Sequence, residues 1–304
     1  MRTGQKLSPK GRVTLMDTNA AQERFEHRGR GAVSNQTGRY EKQTHHAFDD
    51  GWGTIEDDAG RLETVLMKDT ARKIITYNKS PDISFDRTVN PYRGCEHGCI
   101  YCFARPTHTW EGLSAGLDFE SKLFYKENAV ELLKRELSKP DYVPRVIALG
   151  MNTDAYQPVE REQRLTRELL EVLYAYRHPV SLLTKSALIQ RDIDLIAPMA
   201  KAGLARVGVS ITTLDRTLSR KMEPRAATPQ KRLDTMRALA DAGIPVTAMT
   251  APIIPGLNDH EIESLLEAVS DHGATRAGYV MLRLPYEIKD LILEWLVQHV
   301  PDRA

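Results

Sequence analysis

Between residues 84 and 284, six short apolar or β-branched runs alternate with stretches whose apolar residues recur at helical spacing, and no other feature limits the possible folds as tightly. The runs cover 84–90, 145–150, 180–185, 205–212, 246–251 and 278–284. Strands separated by helices are the pattern of repeated βα units, in which each crossover helix returns the chain to the same end of a parallel sheet. The stretches between them place Val130, Leu133 and Leu137 on one stripe, then Leu165, Leu169 and Leu173, then Leu233, Met236 and Leu239, then Ile262, Leu265, Leu266 and Val269. Each stripe has to be buried against a sheet. Helix boundaries are signalled by Thr228 as N-cap before Pro229, by Gly243 after that helix, by Asn258 with Glu261 as a capping box, and by Gly273. Further helices are expected over 161–176 and 286–300.

The fold class is therefore α/β, with six units curling into an open or partial (β/α)6 barrel within residues 80–304. Parallel α/β folds bind ligands at the carboxyl ends of their strands, so functional residues are expected in the loops after each strand. Residues 1–60 read as a largely irregular arm. Its first 45 residues carry nine Lys/Arg against four Asp/Glu, a net +5, with few large apolar residues, which predicts a flexible basic segment. Asp49, Asp50, Glu56, Asp57 and Asp58, around Trp52, read as a solvated acidic stretch. The whole chain has a formal charge of only +1, which gives no global sign of a polyanionic partner. No long apolar run or secretory leader is present, so a cytoplasmic protein outside the membrane is expected.

Only three cysteines occur, Cys95, Cys99 and Cys102, spaced C-x3-C-x2-C just after the first strand. An odd, tightly clustered set is a poor disulfide framework and a good metal or cluster site. Gly94 and Gly98 allow the backbone to turn tightly around a bulky group. A [4Fe–4S] cube takes a ligand on each of four irons, and three thiolates leave one iron open to an exogenous ligand. The alternative is zinc, with His97 or His108 as the fourth ligand.

The segment Asn90-Pro91-Tyr92-Arg93-Gly94-Cys95 and the run Tyr101-Cys102-Phe103-Ala104-Arg105 resemble the radical S-adenosylmethionine (SAM) superfamily, in particular its spore photoproduct lyase-like branch. The loop 152–158, Thr184-Lys185-Ser186 and Ala251-Pro252-Ile253-Ile254-Pro255-Gly256 extend the resemblance. It implies a radical SAM barrel whose three cysteines hold a [4Fe–4S] cluster, SAM as second cofactor, and a one-electron reductant of flavodoxin or ferredoxin type. Reductive cleavage of SAM would then yield a 5′-deoxyadenosyl radical that abstracts hydrogen from a substrate the sequence does not name.

By the same resemblance Lys185 meets the SAM carboxylate, Thr153 and Asp154 the amino group and nearby polar atoms, Ser210 the ribose and Tyr101 the adenine. Each has a plainer reading: a solvated lysine, an Asx-type helix start, a hydroxyl bonded to backbone, and core packing beside Phe103. Glu223, Arg225 and Arg232 match a charged segment of the branch or form a solvated loop. The branch's repair lyase returns a hydrogen atom from an additional cysteine, and Met151 stands at the matching position here. A thioether does not donate hydrogen as a thiol does, so the resemblance carries the radical start and not the substrate. Kinship with a DNA-repair enzyme and the basic arm leave a second reading, a nucleic-acid-binding protein whose iron–sulfur or zinc site is only structural and whose phosphate contacts weaken with salt. Relatives continue past the last helix, which implies a C-terminal segment contributing to the substrate pocket.

Overall fold

The computed structural model describes residues 29–41, 62–81, 83 and 85–303. The acidic stretch around Trp52 and most of the basic arm lie outside the described residues. The first strands are β1 (Val65–Lys68), β2 (Ile75–Tyr77), β3 (Arg87–Val89) and β4 (Tyr92–Arg93), and then α1 (Leu117–Ser121) runs directly into β5 (Lys122–Tyr125). Strands and helices alternate from there: α2 (Ala129–Leu137), β6 (Ile147–Leu149), α3 (Glu160–Gln163), α4 (Leu165–Ala175), β7 (Val180–Thr184), α5 (Ile193–Lys201) and β8 (Ala205–Ser210). The chain ends with α6 (Arg216–Met222), α7 (Pro229–Asp241), β9 (Val246–Ile253), α8 (Ile262–Asp271), β10 (Arg276–Met281) and α9 (Ile288–His299).

Seven strands form the main sheet in the order β10-β9-β8-β7-β6-β3-β2. Neighbours from β3 to β10 pair in parallel, and β2 is antiparallel to β3. Each of the six expected runs contains or overlaps one of the parallel strands. Because the strands add in chain order on one side, right-handed crossovers gather the helices on a single face. Among the described residues the sheet has two edges, β10 and β2, in keeping with the expected open or partial barrel. A second, three-stranded sheet, β1-β5-β4, was not legible in the sequence because strands of two to four residues carry too little periodicity.

The main core lies between the sheet and the helices. Val180 and Leu182 of β7, Val207 and Val209 of β8, and Val246 and Ala248 of β9 pack with Leu169, Leu173, Met236, Leu239, Leu265 and Val269. Successive side chains of a strand point to opposite faces, so the helix-free face carries Leu183 with Lys185 one step beyond β7, Gly208 and Ser210 of β8, and Met249 of β9. The register agrees, pairing Leu183 with Gly208 and Ser210 with Met249.

Three local expectations are corrected. The helix expected over 161–176 breaks at Arg164, which adopts a left-handed φ of 56°. The Glu160 carboxylate takes the amide of Thr166 at 2.9 Å, capping a fresh start for α4. Asn258 and Glu261 do not form a capping box: the Asn258 amide donates to Thr212 O and Pro252 O, and Glu261 accepts from Thr213 Oγ1 and the Leu214 amide. Both tie the loop after β9 to the loop after β8. Leu266 is 39% exposed, off the buried stripe of α8. The cap at Thr228 is present, with its hydroxyl accepting from Lys231 N.

Candidate active site

The three cysteines occupy one loop between β4 and a 3-10 turn at Arg105–Glu111, at the carboxyl edge of β3. Cys95 and Cys99 are buried and Cys102 is partly exposed; all are free thiols. Gly94 and Gly98 both have left-handed φ, 75° and 67°, and a side chain at either would collide with Phe119 O or the Glu120 carboxylate. Burial pushes the Cys95 thiol far up, with the charges of Asp154 and the other two cysteines adding to it. Burial also pushes Cys99 up to about 12, against the opposing pull of Lys185. Cys95 feels the charge of Cys99 and Cys102, and Cys99 that of Cys102, so a bound cation would be a natural partner for thiolates in this loop.

The loop is braced by buried polar side chains. All five N–H donors of Arg105 are used: on Cys99 O (2.9 Å), Ala115 O and Gly116 O (3.0 Å each), Gly98 O (3.1 Å) and the Glu120 carboxylate. Gln157 clamps the other side, accepting from Glu96 N at 2.9 Å and donating to Gly94 O at 3.1 Å. Glu96 is ion-paired to Arg225 at 3.2 Å.

The five other residues singled out in the sequence lie at the same edge. Lys185, partly buried, follows β7, and its ammonium stands 5.8 Å from the centre of the Tyr101 ring. Burial works against its charge, but Cys99 and Glu223 outweigh that and raise its pKa. Among the described residues its ammonium makes no hydrogen bond or ion pair, although the Lys185 backbone does. Asp154 is fully committed: one oxygen accepts from Thr184 Oγ1 (2.7 Å) and Tyr156 N (2.8 Å), the other from Lys185 N (2.7 Å), with the His97 ring nitrogen at 3.3 Å from it. Burial alone would raise this carboxyl; His97 and these donors hold it at about 2. The His97 contact has ion-pair distance without hydrogen-bond alignment, leaving Nδ1 unsatisfied. The Thr153 hydroxyl donates to Tyr92 O at 2.9 Å, and Ser210 Oγ reaches only Ala251 O, at 3.5 Å.

Glu223 and Arg232 are not in a solvated loop. They are 2% and 1% exposed and ion-paired to each other. Glu223 also accepts from the Tyr101 hydroxyl and from Thr212 Oγ1, while Arg232 donates to Ser210 O at 3.1 Å. Burial would raise the Glu223 carboxyl, but Arg232, Lys185 and the Tyr101 hydroxyl hold it at about 2. Two charged residues so close in sequence look solvated; only the packing of α7 against β8 shows them buried. The hydroxyl of Tyr101 is thus fixed while its ring faces Lys185.

Three free cysteines in one loop have the chemistry to hold a group through thiolates. Among the described residues no group of three or more His, Cys, Asp or Glu side chains is already drawn together as it would be around a metal ion. His108, one candidate fourth ligand for zinc, is buried with Nε2 on Lys122 O at 2.8 Å and its ring edge-on to Phe119.

Fold and loop together define an α/β enzyme with its chemistry at the carboxyl edge of a parallel sheet, around a three-cysteine loop. The Radical SAM superfamily matches residues 89–269, more than half of the chain, and the protein belongs to that superfamily. It is a radical SAM enzyme, and membership implies SAM and an iron–sulfur cluster. An uncharacterized protein of Mycobacterium bovis is 37% identical over 230 residues, which cover 74% of this chain and 68% of the relative. One from Methanocaldococcus jannaschii is 33% identical over 201 residues, 66% of this chain and 71% of the relative. The fold is also that of spore photoproduct lyase. A mutant with bound AdoMet and dinucleoside spore photoproduct superposes with TM-score 0.56 at 15% identity, over 77% of this chain and 67% of that one. Among the described residues no helix is long and apolar enough to cross a membrane.

Proposed function

We propose that Cys95, Cys99 and Cys102 hold a [4Fe–4S] cluster and that the enzyme cleaves SAM reductively to start hydrogen abstraction from its substrate. The observation that carries this reading is the Lys185 ammonium, without a hydrogen-bond or ion-pair partner among the described residues, beside the three-cysteine loop. A cluster held there would supply the one electron that reductive cleavage of the sulfonium's C5′–S bond requires, with methionine and a 5′-deoxyadenosyl radical as the products. Lys185 would take the SAM carboxylate, since no anion among the described residues is paired to its ammonium. Thr153 and Asp154 would face the amino group, and Asp154 places Lys185 through its backbone amide. Ser210 offers its weakly engaged hydroxyl to the ribose, and Tyr101, its ring held by Glu223, lines the adenine.

The electron comes from a flavodoxin- or ferredoxin-type protein in the cytoplasm. Met151 stands where the branch's repair lyase has its hydrogen-returning thiol, so a thiol-dependent photodimer cycle is not part of the proposal. Anaerobic reconstitution with iron and sulfide, reduction, and quantification of 5′-deoxyadenosine test the reading. SAM is expected to be consumed with release of 5′-deoxyadenosine, and Cys→Ala at any of the three positions to abolish both the brown chromophore and turnover. Reduced, cluster-loaded protein that leaves SAM intact with every candidate substrate removes the proposal.

A further inference from the structure

The part of the expected basic arm that is described, residues 29–41, lies across the back of the cysteine loop. Its anchor is Glu120 at the end of α1, a fully buried carboxylate. One oxygen accepts from Gly31 N and the other from Ala32 N, each at 2.8 Å, and Arg105 pairs with the same carboxylate. Arg105 in turn holds the carbonyls of Gly98 and Cys99. A single buried anion therefore joins the arm to the backbone between two of the three cysteines.

The approach is too close for any side chain. A Cβ on Gly31 would lie 1.9 Å from Gly98 O, and one on Gly98 would lie 2.7 Å from the Glu120 carboxylate. Further contacts continue along the segment. Ala32 packs in the same apolar cluster as Cys99, Ile100 and Tyr101. Ser34 O accepts from Leu117 N at 3.2 Å, and the Asn35 amide exchanges two hydrogen bonds with Asp118, at 2.9 and 3.0 Å. Ser34 Oγ donates to Glu294 on α9 at 2.6 Å. On its other side the Arg30 guanidinium donates to Leu62 O (2.7 Å) and Thr64 Oγ1 (3.0 Å), and Thr64 donates to Glu96, the residue after Cys95.

We infer that residues 30–35 are a clasp that retains the cluster: through Glu120 and Arg105 the segment holds the three-cysteine loop in its ligating shape and covers its back from solvent. Gly31 and Glu120 are positioning residues that act through the loop backbone. The inference rests on the cluster reading above and adds to it the element that keeps the cluster in place.

The test uses the full chain, reconstituted anaerobically and then challenged with a ferrous chelator, with iron release followed by absorbance. Glu120→Gln must turn an NH2 toward one of its three donors, and Gly31→Val drives the strap off Gly98. Each is expected to lose iron about tenfold faster than wild type or more, in line with other ligand-supporting residues. The EPR spectrum of the reduced cluster should broaden, while thermal unfolding of the α/β core stays close to wild type. Asn35→Ala loosens the strap without adding bulk or touching Glu120, and is expected to show a smaller acceleration in the same direction. Iron release within about twofold of wild type in every folded variant overturns the clasp. So does acceleration that only tracks a general loss of thermal stability. A wild-type chain that takes up no iron and sulfide overturns the cluster reading and the clasp together, whereas a chain that keeps its cluster but leaves SAM intact overturns only the proposed reaction.

Discussion

At the scale of single residues, the types needed to bind a zwitterionic, sulfonium-bearing cofactor were visible in the sequence, but their commitments were not. Lys185 and Asp154 look alike there, each a charged residue after a strand. In the fold the ammonium of Lys185 stands free of hydrogen bonds among the described residues, while Asp154 spends both oxygens on neighbouring backbone and side-chain donors. Lys185→Met is expected to weaken SAM binding by roughly ten- to a hundredfold, the loss of a charge-assisted hydrogen bond worth about 1.5–3 kcal/mol. Titrating SAM into the reconstituted variant and following the cluster's EPR response checks it; the spectrum without SAM should stay that of wild type. Glu223 and Arg232 carried no usable signal, because a buried ion pair and a solvated one have the same letters.

The elements were legible where their period was long. All six parallel strands and the stripes of α2, α4, α7 and α8 follow from spacing alone, since a stripe of leucines has only one way to leave water. Short elements were not, and β1, β4 and β5 draw their stability from tertiary contacts. Lys126, just past β5, is one such contact: its ammonium donates to Asn90 O at 2.5 Å, joining the small sheet to the start of the cysteine segment. Burial lowers its pKa from 10.5 to about 8, with Arg93 adding to the effect and Asp69 opposing it. Between those two values the unfolded chain binds the proton and the folded one does not, so stability rises with pH across that window. Below pH 8 the cost of the buried charge is present in full, up to about 3 kcal/mol. The stability of wild type relative to Lys126→Met should therefore rise from pH 7 to pH 9.5 in urea unfolding.

At the scale of the whole molecule, the segment 29–41 and the C-terminal helix α9 meet beside the cysteine loop. The C-terminal helix α9 packs Ile288, Leu291, Ile292 and Trp295 into the cluster that holds Cys99 and Tyr101, and the clasp segment is tied to it through Glu294. Composition marked residues 1–45 as one basic arm, but 29–41 is engaged with the protein itself. Because the contacts to Glu120 come from Gly31 and Ala32, removing residues 1–28 is expected to leave iron retention unchanged, measured by the same chelator assay, and to diminish any salt-sensitive binding to DNA. By itself the sequence determined the α/β class, the order of the six strands and the three-cysteine loop, because hydrophobic period and ligand spacing are local properties of the chain. Which charges are buried, which cation stays unpaired, and which distant segment closes over the loop were decided by the tertiary structure. Those depend on contacts between residues tens to hundreds of positions apart, such as Gly31 with Glu120 and Ser34 with Glu294, that no local pattern encodes.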